Sequence, residues 1–99
     1  MRSIPRKLNI GGLVFDVIVV KGDIIGSSGE KLWGQIIHDR GEILLSSKLN
    51  PQKMWVVLLH EVIHGIEEVG NFDFGEIQTD RLAHLLFDFL TRNKIGIIQ

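Results

Sequence analysis

The sequence predicts an α+β chain in which a small N-terminal β-sheet packs on two consecutive helices. Three observations carry this. The first half is rich in Val and Ile and is broken at Gly11-Gly12 and again at Asp39-Arg40-Gly41. The second half opens on Asn50-Pro51, a capping residue followed by a proline that fits the first helical position. Apolar residues then recur at helical spacing as far as Arg92. Strands first and helices second, without alternation, is the order of an α+β chain.

Taken in order, KLNIGGLVFDVIVV (7–20) reads either as two short strands turning at the glycines or as one strand with a bulge. GDIIGSSGE (22–30) reads as a flexible connection. LWGQIIHDRGEILLSS (32–47) reads as a hairpin whose turn is Asp39-Arg40-Gly41. From Met54 to Val69 apolar residues nearly encircle the helix, so it should be buried, and Gly70 is a natural stop. NFDFG leads to a second helix from about Glu76 to Arg92, with Leu82, Leu85, Leu86, Phe89 and Leu90 as its apolar stripe. IGII (95–98) reads as a short strand or an ordered tail.

Composition bounds the function. The chain has 99 residues, enough for one core, and is read as a single domain over 1–99. A net charge of −1 with interspersed signs offers no footprint for nucleic acid or an anionic membrane. No apolar run reaches the length of a membrane span or a signal peptide. The absence of cysteine excludes disulfides and thiolate metal sites and fits a reducing compartment. The expectation is a soluble cytoplasmic protein.

The chemistry sits in LLHEVIHGIEE (58–68). Residues four apart on a helix differ by about 40° and rise about 6 Å, so His60 and His64 share one face and can converge on one cation. That is a recurrent zinc arrangement. Glu61 lies about 100° round, poorly placed as a ligand yet able to act on a water beside the ion. A lone histidine on such a helix is ordinarily a hydrogen-bonded boundary residue. Three ionisable groups amid Val, Leu and Ile are costly unless paired or metal-bound.

A catalytic zinc takes three protein ligands and a water. Glu68 shares the histidine face, but three ligands in a row along one helix span about 12 Å and cannot all reach one ion. The second helix offers Glu76, Asp80 and His84 at one-turn intervals. Taken alone, that trio also suits a solvated polar face. A helix pair that simply doubled back would bring Asp80 level with the histidines.

HExxH followed by a helix reading Glu-x-x-x-Asp resembles the gluzincin zinc metallopeptidases. Over roughly residues 30–92 the layout is similar to the ImmA/IrrE-like metallopeptidases, and to the compact versions found in phages and prophages. The resemblance implies Zn2+ as cofactor, with His60, His64 and Glu76 as ligands. Asp80 would support a zinc-bound histidine, and Glu61 would be the general base. It also implies a peptide or protein substrate and, for a phage-type protein, the cytoplasm of a bacterial host cell. The chain departs from the pattern in its 11 residues between His64 and Glu76, a short spacing, and in having no tyrosine. His84 or Arg81 would then stabilise the oxyanion. In zincins the substrate pairs with an edge strand, for which EILLSS (42–47) is the candidate here.

A zinc-dependent binding or regulatory protein without turnover is the second reading, and a structural protein with a coincidental HExxH is the third. Trp33 and Trp55 read as core or boundary aromatics, and His38 as exposed beside the turn. Glu67 and Glu68 stand against the helix dipole and have no assigned role.

Overall fold

The computed structural model describes residues 2–96. Its fold is α+β: a four-stranded sheet, a second two-stranded one, and two helices. β1 (Lys7–Ile10) and β2 (Leu13–Val20) form an antiparallel hairpin turning at Gly11-Gly12, so the two-strand alternative holds. Asn9 Oδ1 accepts the Gly12 N–H at 2.7 Å and fixes that turn.

Residues 22–30, expected to be a flexible connection, instead contribute to a small hairpin. β3 (Ile24–Ile25) pairs with β4 (Lys31–Leu32), and the Gly26 N–H donates to Glu30 O at 2.8 Å. Asp23 adds ion pairs to Lys31 and Lys48 at 3.8 and 2.8 Å. Two-residue strands are too short to show a period of two in the sequence.

β5 (Gly34–Ile37) and β6 (Glu42–Ser46) form the expected hairpin around a 3-10 turn at His38–Arg40, with Gly41 left-handed at φ 62°. β6 also pairs in parallel with β2, with Val17 opposite Ile43 and Val19 opposite Leu45. The sheet order is therefore β1-β2-β6-β5. This overturns the expectation for residues 42–47: β6 is flanked on both sides and cannot receive a further strand. The edge strands are β1 and β5.

Asn50 Oδ1 accepts the Lys53 N–H at 2.8 Å and caps α1 (Pro51–Gly70). The helix continues through Gly70, because Asn71 takes the left-handed turn at φ 56°. α1 packs on β1, β5 and β6. Phe15, Ile43 and Leu45 from the sheet meet Trp55 and Leu58 from α1, each buried. Trp55 Nε1 donates to Arg2 O at 2.8 Å. The burial is one-sided, since Ile66 and Val69 are exposed.

α2 (Glu76–Arg92) is rotated from its expected facing. Thr79, Ala83 and Phe87 are buried, while Leu85 and Phe89 of the expected stripe are 68% and 53% exposed. The reason is polar: Glu76 and Asp80 both contact His60, so the helix turns that face and its i+3/i+4 neighbours toward α1. Ile95 N–H bonds Leu90 O at 2.9 Å just past the helix end, and Ile97 and Ile98 of the expected strand or tail lie outside the described residues.

Candidate metal centre

One turn of α1 separates His60 and His64, and their Nε2 atoms lie 3.1 Å apart. The first residue of α2 meets them. Glu76 Oε1 is 2.7 Å from His60 Nε2, and Glu76 Oε2 is 3.0 Å from His64 Nε2. All three residues offer ligand atoms within 4.8 Å of one another, a group able to hold a metal ion. Gly75 at the N-cap, with φ 82°, lets the chain turn into α2 so that Glu76 points back at α1.

Each imidazole is held from behind through its other nitrogen. His60 Nδ1 lies 3.3 Å from Asp80 Oδ1, and His64 Nδ1 lies 3.1 Å from Glu67 Oε1. A carboxylate at Nδ1 fixes the proton there and leaves the Nε2 lone pair for a cation. Asp80 therefore touches His60 without joining the group around both Nε2 atoms.

Glu67 is the residue that sequence reasoning missed. It is 6% exposed, and its carboxylate also accepts the Phe74 N–H at 2.9 Å and the Thr79 hydroxyl at 3.0 Å. One side chain thus orients a histidine, ties down the linker and anchors α2. The available signal was a glutamate one turn past the second histidine, inside an apolar helix and against its dipole.

Glu61 points into the gap between α1 and β5 and is 8% exposed. Burial raises its pKa above the usual carboxylate value. The neighbouring His60 and His64 oppose the shift, as does the Ile36 backbone N–H. Gly34 makes this close approach possible. A Cβ there would lie 2.5 Å from Val57 Cγ1 and 3.4 Å from Glu61 Cγ.

The free edge of β5 faces the same place. Ser46 N–H donates to Trp33 O at 3.0 Å, and antiparallel alternation then turns the backbone groups of Gly34 and Ile36 outward. Two hollows, of about 790 and 640 Å3, meet at Glu76. The larger holds His60 and Glu61 and has His84 and the exposed Trp33 at its border, and the smaller holds His64, with exposed His38 at its rim. His84 Nδ1 is held 2.9 Å from Asp80 O. Arg81 is exposed and borders neither hollow.

No family model matches this chain, and neither does any curated protein or solved structure. The functional reading therefore rests on the geometry of the site. Among the described residues no helix is long and apolar enough to cross a membrane.

Proposed function

We propose that the chain is a zinc-dependent metallopeptidase, and that Glu76 set against both histidine Nε2 atoms is the observation that carries this reading. Two imidazoles and one carboxylate are a donor set of catalytic zinc, leaving one position open. A tetrahedral ion with bonds of about 2.0–2.1 Å holds its ligand atoms about 3.3 Å apart. The separations of 2.7, 3.0 and 3.1 Å fall just inside that, so small side-chain adjustments admit the ion. Glu76 is 73% exposed in its side chain, which leaves the centre open to a substrate.

Zinc bound there supplies a Lewis acid and a water with a pKa near neutrality. Glu61 takes a proton from the attacking water at its carboxylate and returns it to the leaving amine nitrogen. Its place in the hollow that also holds His60 and Glu76 supports this role. The outward backbone groups of Gly34 and the Ile36 carbonyl would pair with an extended substrate across the site, while the Ile36 N–H is held by Glu61. His84, at the border of the larger hollow, is the better placed of the two oxyanion candidates.

One observation favours a second reading, a zinc-binding regulatory or interaction protein without turnover. The ligands come from two helices, so an ion would also staple α1 to α2. Zinc-loaded wild type and Glu61→Gln, incubated with a peptide mixture and compared for new termini, separate the two. The peptidase reading expects cleavage by wild type and a loss of about 10²- to 10⁴-fold in the variant. Cleavage that persists in Glu61→Gln rejects the base role, and no cleavage by either protein favours the second reading.

A further inference from the structure

The charges on α1 are arranged against the stability of the helix. It has no acidic residue in its first turn and no basic residue in its last. Lys53 stands three positions past the cap, where a glutamate would reach back to the cap backbone and suit the dipole. Glu67 and Glu68 stand at the opposite end, where lysine or arginine would suit. Glu67 is committed to His64, Thr79 and Phe74, but Lys53 and Glu68 make no ion pair among the described residues.

Both ends open onto the groove that crosses the metal centre. The hollow holding His60 and Glu61 runs out to Lys31, Lys48 and Lys53. The hollow holding His64 runs out to Glu68 and Asp73. At the basic end Lys31 and Lys48 share the single carboxylate of Asp23, which leaves excess positive charge. The helix dipole points the same way, positive at Lys53 and negative at Glu68.

We infer that the groove takes an extended peptide with its cationic part at Glu68 and Asp73 and its anionic part at Lys53. The inference rests on the peptidase reading and names the substrate class of that site. β5 supplies the direction, running from Trp33 at the lysine end toward His38 at the acidic end. We take the peptide as antiparallel to β5, the more stable pairing per residue, which puts its upstream residues at the acidic end and its downstream residues at the lysine end. The substrate is therefore basic before the scissile bond and acidic after it. Trp33, 59% exposed, offers an apolar face to a downstream side chain.

Binding is measured on zinc-loaded Glu61→Gln with two end-blocked hexapeptides at low salt. One carries two arginines at its amino end and two glutamates at its carboxyl end, and the other has these charges exchanged. The first should bind about tenfold more tightly, given several exposed charge pairs, with the ratio shrinking as salt rises. Adding Lys53→Glu and Glu68→Lys together should abolish the preference, because Lys31 and Lys48 are then balanced by Asp23 and residue 53, and Asp73 by residue 68. Both changes suit the helix dipole, so zinc content and melting temperature serve as the controls for fold. Equal binding, no binding, tighter binding of the exchanged peptide, or a preference unmoved by the double change overturns the inference. Wild-type cleavage is scored separately. Selective binding without cutting rejects turnover and keeps the inference, whereas cutting without charge preference keeps turnover and overturns the inference.

Discussion

Glu76 Oε1 lies 2.7 Å from His60 Nε2 across sixteen positions of sequence, and the other oxygen of Glu76 reaches His64. Asp80, one turn further along α2, meets only the far side of the His60 ring. The two acids therefore differ in kind. Glu76→Ala should lose more zinc affinity than Asp80→Ala, whose own loss should be about 10- to 100-fold. Competition titration with a chromophoric chelator measures both, and a larger loss in Asp80→Ala would exchange the two roles.

Glu67 joins three groups, so its loss should show in two separate measurements. Glu67→Gln retains only one acceptor oxygen for the Thr79 hydroxyl, the Phe74 N–H and His64. A buried donor left without a partner costs about 1–3 kcal/mol. Melting of the metal-free variant should show that loss, and zinc affinity should fall about 10- to 100-fold as the His64 ring loses its orientation. Unchanged zinc affinity in a folded variant would leave Glu67 with a purely structural part.

Glu61 gives a pH dependence with a definite sign in the metal-free protein. Burial raises its pKa, so the folded state holds the proton more tightly than the unfolded chain does. The associated stability is present below the unfolded pKa and is lost as pH rises through the folded value. Glu61→Gln, which is neutral throughout, should melt higher than wild type at neutral pH. The difference should close as pH falls below the carboxylate range. A gap that widened on acidification would contradict the burial of a charged group.

Gly34 tests how closely β5 must lie to the helix. Its φ is ordinary, but an added Cβ would sit 2.5 Å from Val57 Cγ1 and 3.3 Å from Leu44 O. Gly34→Ala should cost about 1–3 kcal/mol of stability through overpacking. It should also shift Glu61 relative to the histidines, lowering turnover more than zinc affinity. Equal losses in both would place the displacement at the ligands instead.

The helices and the histidine pair were legible because both follow the 3.6-residue period, whereas Glu76 was expected only from the resemblance to gluzincins, and a simple helix hairpin would have favoured Asp80. Asn50-Pro51 marked one start, and His60 and His64 shared a face by spacing alone. The elements that eluded the sequence depend on distant partners. Placing β6 inside the sheet required its parallel pairing with β2, which leaves no local trace. The facing of α2 went to Thr79, Ala83 and Phe87 because contacts to His60 and Glu67 outweighed the leucine stripe. Glu67 looked like a misplaced charge until Thr79 and Phe74 were beside it. Its partners belong to the linker and to the second helix, so no pattern within α1 could supply them.

The central claim is that His60, His64 and Glu76 hold one zinc ion. Elemental analysis of protein purified without a metal-affinity tag tests it most directly. The account expects about one zinc per chain in wild type and a large loss in His60→Ala and in Glu76→Ala, with both variants still folded. Chelation should lower the melting temperature of wild type, because the ligands join two helices. A sub-stoichiometric metal content, unchanged by either substitution, would contradict the account.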